Sequence, residues 1–168
     1  MRTGTTPDFT AFFGRGVVRP LRFQARPLAN HVHDVQFLSG YLHDARLDPG
    51  AVVLRREKLV IPVHRDCWEL QPAERGRRPE LRTAKARLTI RPVSSIRWEA
   101  ADLSTLQGEL RVECLYLGPA HWEAYEASEL VISSPHALWK LTIAIAADFG
   151  DIRLRDLETP KLWHERTT

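Results

Sequence analysis

The sequence predicts an all-β fold, an antiparallel sandwich or open barrel with one or two short helices. Two patterns carry that reading. From Thr83 to Val93, Ala84, Ala86, Leu88 and Ile90 alternate with Lys85, Arg87, Thr89 and Arg91. A period of two over this length defines a strand with one buried face and one wet, basic face. Strands of this kind, about seven in all, recur along the chain with Gly, Pro and Asp turns between them. Most alternate rather than forming solid apolar runs, which favours antiparallel pairing.

Taken in order, residues 1–30 read as a basic arm. Pro7, Pro20 and Pro27 break any helix or central strand there. A β-rich domain is expected over residues 31–158 and a frayed tail over 159–168. Asp34 caps a short helix through Val35, Phe37, Leu38 and Tyr41. Asp48-Pro49-Gly50 forms a turn, and strands follow from Ala51 to Arg55 and from Lys58 to Arg65. Pro62 assigns the second of these to a sheet edge or a bulge, because proline cannot donate to a ladder. Residues 71–82 are polar, charged and broken by Pro72, Gly76 and Pro79, so they form an exposed loop that trypsin should cut first.

Beyond the Thr83 strand lie a strand through Ile96 and Trp98, a loop from Asp102 to Gly108, and the alternating set Leu110, Val112, Cys114 and Tyr116, with Cys114 turned inward. Residues 122–127 fit a short helix or a strand equally well. Glu129 to Ser133 reads as a strand stopped by Pro135. Trp139, Leu141, Ile143 and Ile145 share one face. The turn Asp148-Phe149-Gly150-Asp151 then returns the chain through Ile152 and Leu154 as a terminal hairpin.

With 168 residues, 43% of them hydrophobic, the chain can build one core without staples. No run approaches the roughly 18 apolar residues of a membrane helix, and the first residues lack the apolar core of a leader. A cytoplasmic protein with no membrane contact is therefore expected. Two cysteines, Cys67 and Cys114, fit a reducing compartment. The net charge is +3, and arginine outnumbers lysine 20 to 4, a skew we read as the codon bias of a GC-rich bacterial genome. Charge is unevenly placed: residues 55–91 carry eleven Lys and Arg against five Asp and Glu, and residues 97–130 carry two against seven. The Lys85/Arg87 stripe is expected to face Glu109 and Glu113 across the sheet, which makes nucleic-acid binding unlikely.

Candidate chemistry is sparse. His31 and His33 would point the same way on a strand, and with Asp34, His43 or Asp44 they could ligate a metal. Capping of a short helix explains the same residues, and no metal or other cofactor is expected. Cys67 follows His64 by three residues but lacks the third, orienting group that a Cys–His nucleophile needs. Ser134-Pro135-His136 carries no more signal than any Ser–His pair.

The segments Tyr41-Leu42-His43-Asp44-Ala45-Arg46-Leu47, Leu59-Val60-Ile61-Pro62-Val63 and Cys67-Trp68-Glu69-Leu70 together resemble small bacterial β-rich domains of unknown function, some of them immunity proteins of toxin systems. That resemblance implies a non-catalytic, protein-binding role and carries over no catalytic residue. The leading expectation is thus a non-enzymatic domain that binds a protein partner, or a second copy of itself, through a sheet face or edge, with Trp68 as an anchor. An alternative is a small-ligand site or enzyme assembled near His33, His43 and Glu69. A third is a polyanion site on the face carrying Lys85 and Arg87. The candidate binding residues are therefore His33, His43, Asp44, Trp68, Glu69, Lys85 and Arg87.

Overall fold

The computed structural model describes residues 28–29, 34–70, 81–118, 129–145 and 151–162. The expected arm up to residue 27, His31 and His33, loop residues 71–80, the 122–127 segment and turn residues 148–150 lie outside these. The described chain runs β1 (Leu28–Ala29), α1 (Asp34–Leu42), β2 (Arg46–Leu47), β3 (Val53–Arg55), β4 (Lys58–Asp66), β5 (Arg82–Arg91), β6 (Val93–Ala100), β7 (Leu110–Arg111), β8 (Cys114–Leu117), β9 (Glu129–Ser134), β10 (Trp139–Ile145), β11 (Asp151–Asp156) and β12 (Lys161–Leu162).

These strands form two antiparallel sheets in a sandwich-like arrangement. The long, eight-stranded sheet has the order β1-β11-β5-β4-β2-β7, with β12 also paired to β5 and β3 to β4. The short sheet has the order β6-β10-β9-β8. One continuous core joins them. Leu59, Ile61, Val63, Ala86, Leu88, Ile90, Ile152 and Leu154 from the long sheet pack with Leu115, Leu130, Ile132, Leu141 and Ile143 from the short one. Helix α1 adds Val35, Leu38 and Leu42, spaced to share one helical face.

The alternation in β5 is realised as expected. Ala84, Ala86, Leu88 and Ile90 are buried, and Lys85, Arg87 and Arg91 are exposed. The terminal hairpin is not. β10 pairs with β6 and β9 in the short sheet, whereas β11 pairs with β5 and β1 in the long one. Between residues 145 and 151 the chain therefore changes sheets. A period of two fixes which face of a strand is buried but not which strand lies beside it.

Pro62 also departs from expectation, because β4 is an interior strand. β5 flanks it from Leu59 to Asp66. On its other side β3 pairs only Lys58 to Val60, and β2 pairs only Val63 and His64. Pro62 falls in the gap between those two pairings, where the chain of β2 and β3 detours through the Pro49–Ala51 3-10 turn. That turn is capped by Asp48, whose carboxylate accepts from Gly50 N at 2.9 Å.

The Leu110–Tyr116 run is likewise two strands in different sheets. β7 joins the long sheet, β8 joins the short one, and the buried phase slips between them. Leu115 is buried, Tyr116 is exposed, and Cys114 is half-buried instead of lying in the core.

The β3–β4 hairpin closes through two residues, Arg56 and Glu57, with φ of 48° and 59°. Two-residue loops need left-handed backbone to match strand twist, and Asn-Gly normally supplies it. Each side chain here bears a Cβ penalty that glycine avoids. Replacing Glu57 by Gly should therefore stabilise the fold by about 0.5–1 kcal/mol and raise the melting temperature by about 2–3 °C. A melting temperature that falls instead would show that the Glu57 side chain makes a compensating contact.

Candidate functional site: a basic face on the long sheet

The outer face of β4, β5 and β11 gathers Lys58, Lys85, Arg87, Arg91, Arg153 and Arg155. Antiparallel register places Arg155 directly opposite Arg87, Arg153 opposite Thr89, and Asp151 opposite Arg91. On the other flank Pro62 faces Arg87 and His64 faces Lys85. Lys58, Arg87, Thr89, Arg91, Arg153 and Arg155 line one shallow depression of about 340 Å³. A second depression, of about 380 Å³, continues it through Arg56, Glu57, Lys58, Arg91, Pro92 and Asp151.

Neutralisation is partial and local. Arg91 Nε donates to Asp151 Oδ1 at 2.7 Å, and Arg153 donates to the other oxygen of the same carboxylate. The Arg91 hydrogen bond holds the Asp151 carboxyl below its ordinary range. Lys58, Lys85, Arg87 and Arg155 have no ion-pair partner among the described residues. Glu158 reaches the Lys85 backbone N–H at 3.1 Å.

The expected acidic neighbours are elsewhere. Glu109 precedes β7, which is separated from β5 by β4 and β2, and Glu113 accepts from His136 Nδ1 at 2.8 Å. The sequence stripe Lys85/Arg87 thus sits on a wider basic face. Lys58, Arg153 and Arg155 complete it, and all three were missed. Their signal was present: Arg153 and Arg155 alternate with Ile152 and Leu154 as the β5 cations alternate with its apolar residues. They flank the β5 stripe because β11 pairs with β5 and not with β10.

His43, Asp44, Trp68 and Glu69 come together at the opposite functional extreme, a structural knot at the end of α1. Asp44 adopts φ 65° and donates its N–H to Val112 O at 2.8 Å. Its carboxylate accepts from Arg111 Nε at 2.6 Å and lies 3.1 Å from His43 Nδ1. Trp68 Nε1 donates to His43 O at 3.2 Å and leaves the ring 40% exposed, so Trp68 is not a core residue.

Beside this knot Arg65 is fully buried. It occupies the next inward position of β4 after Leu59, Ile61 and Val63, and Asp156 continues the inward phase of Ile152 and Leu154. Ala84 and Ala86 of β5 lie between them in register, and their small side chains leave room for the guanidinium to cross. Arg65 Nε and Nη2 donate to Asp156 at 2.7 and 2.8 Å, and Nη1 and Nη2 donate to Glu69 at 3.1 and 2.6 Å. Its guanidinium carbon lies 5.5 Å from the Tyr41 ring centroid. Burial alone would lower the Arg65 pKa, but the hydrogen bonds it donates to Asp156 and Glu69 outweigh it and raise it. The cluster fastens β4, β11, the Trp68–Leu70 turn and α1 to one another.

Neither nucleophile reading finds its geometry. Burial pushes the Cys67 thiol from 9.0 up to about 12, so it is protonated at neutral pH. Glu113 stands between Ser134 and His136 as an acceptor for both, and their hydrogen bonds keep its carboxyl below the usual range, that of His136 contributing most. A serine nucleophile needs the histidine in that middle place. Among the described residues no three His, Cys, Asp or Glu side chains are grouped to hold a metal, and no helix is long and apolar enough to cross a membrane.

The buried acids predict a loss of stability at alkaline pH. Burial raises Tyr41 from 10.0 to about 12 as well. In the unfolded chain Cys67 and Tyr41 lose their protons from near their ordinary values, while the folded chain keeps them to about pH 12. Stability should therefore be complete below pH 9 and fall as pH rises toward 12, with Cys67 alone contributing a slope of about 1.4 kcal/mol per pH unit. Urea midpoints at successive pH values check this. Cys67→Ala should delay the fall to about pH 10, and wild-type and variant curves that stay parallel would refute it.

The fold and surface together define an all-β, two-sheet sandwich with one basic face. No protein-family model, curated protein or solved structure matches the chain.

Proposed function

We propose that this protein is a non-catalytic binding domain whose working surface is the basic outer face of the long sheet, and that its partner is a polyanion. One observation carries the reading: Arg87 and Arg155 stand directly opposite each other, with no described carboxylate paired to either. Like charges at directly opposed positions destabilise a sheet. A bound row of anions offsets that repulsion, so a cost to the free fold becomes a gain in the complex. The open depression lined by Lys58, Arg87, Arg91, Arg153 and Arg155, rather than a closed apolar pocket, favours an extended ligand over a small molecule. Pro62 marks no docking edge, since β4 is interior.

Retention on an immobilised sulfated polysaccharide tests the reading. The wild-type chain should bind at low salt and elute only as salt is raised. Arg87→Glu combined with Arg155→Glu should pass through, with an undiminished melting temperature. Equal retention of the folded double variant, or flow-through of the wild type at low salt, would overturn the proposal.

A further inference from the structure

We infer that the polyanion is a nucleic-acid duplex, held by its phosphate backbone without base readout. The inference rests on the proposed use of the basic face and adds the identity of the ligand. Composition is the first argument. Lys58, Arg87, Thr89, Arg91, Arg153 and Arg155 are side-chain types that contact phosphate oxygens. The apolar side chains of this face, Val60 and Pro62 with Val53 opposite Val60, are confined to its β3–β4 flank, and no Trp, Tyr or Phe stands on the outward positions of β4, β5 and β11. Protein partners are held at apolar and aromatic hot spots, and single strands are held by stacking of bases on rings. A duplex keeps its bases stacked and offers its charge outside, so cations alone suffice to bind it.

Spacing is the second argument. Outward side chains on one strand repeat every ~7 Å, and adjacent strands lie ~5 Å apart. From Lys85 to Arg91 the row is therefore ~20 Å long, and β4, β5 and β11 make it ~10 Å wide. A single phosphate would touch only a fraction of such an array, whereas a duplex presents one charge per ~1.7 Å of its axis.

Shape is the third. The surface is the open outer side of a sheet, with side chains standing on interior strands paired on both flanks. Full base readout is made in the major groove, usually by an inserted helix, and no described helix projects from this face. Contacts limited to the backbone make binding independent of sequence.

Fluorescence anisotropy with the full chain tests this, using two unrelated labelled duplexes, one of their single strands, and poly-glutamate. Four cations with no ion-pair partner among the described residues predict a log Kd against log salt slope of about 3–4, with Kd of roughly 10⁻⁵ M near physiological salt. The two duplexes should bind equally within about two-fold. Arg87→Glu with Arg155→Glu should weaken duplex binding at least tenfold and lower the slope by about 2. Arg97→Glu with Lys140→Glu, an equal charge change on the short sheet, should alter it by less than about three-fold.

Tighter binding of the single strand, or a tenfold preference between duplexes, would overturn the inference. So would poly-glutamate binding as tightly as duplex with the same dependence on Arg87 and Arg155, although the basic-face reading would then stand. Absence of binding to every probe at low salt would remove both.

Discussion

Arg65→Ala should destabilise the fold by about 3–5 kcal/mol, the range found when one partner of a buried ion pair is removed. Arg65 is fully excluded from solvent and makes four hydrogen bonds to two carboxylates. Alanine would leave Asp156 and Glu69 with no guanidinium between them, in a space shaped by Ala84 and Ala86. A domain of this size has only about 5–15 kcal/mol in total, so the variant should be partly unfolded at modest urea concentration. Lysine at the same position cannot make the two-pronged contacts to both acids, so it should recover only part of the loss. Replacing all three residues at once, Arg65→Met with Glu69→Leu and Asp156→Leu, should come closer to wild type than Arg65→Ala, because it leaves no uncompensated charge behind. Urea unfolding of the series checks this. A loss below about 1 kcal/mol for Arg65→Ala would mean that water reaches the two carboxylates.

Leu88→Ala should cost about 3–4 kcal/mol, whereas Arg87→Glu, the neighbouring residue in the chain, should leave stability unchanged or raise it by about 0.5 kcal/mol. Leu88 has no exposure and sits opposite Ile61 on β4 and Leu154 on β11, so truncation opens a cavity between three strands. Arg87 points the other way, toward Pro62 and Arg155. A glutamate there exchanges a like-charge pair for an opposite-charge pair. The same substitution should weaken retention on a polyanion. Chemical unfolding and salt elution of both variants separate the two faces of one strand. A destabilised Arg87→Glu would show that the basic face contributes to the fold itself.

Local pattern was enough to identify the two faces of β5, because alternation is a property of consecutive residues and survives any choice of neighbour. It was enough for α1, whose Val35, Leu38 and Leu42 recur at helical spacing after Asp34. The buried cluster was also visible in principle. Arg65 and Asp156 each fall in phase with the apolar residues of their own strands, and a charge in the core phase requires a partner. Finding that the two are partners requires the order β11-β5-β4 and its register.

The same limit governs the candidate site. Lys85 and Arg87 were legible as a wet, basic stripe, but whether acids or more arginines stood beside them depended on which strands flanked β5. The chain by itself determined the β-rich class and the buried and exposed sides of β5. The tertiary structure alone decided that β11 left β10 for β5, that Pro62 was interior, and that Arg87 faced Arg155 rather than Glu109 or Glu113. Face is set by the geometry of one strand, whereas neighbours are set by contacts between residues far apart in sequence, which no local period encodes.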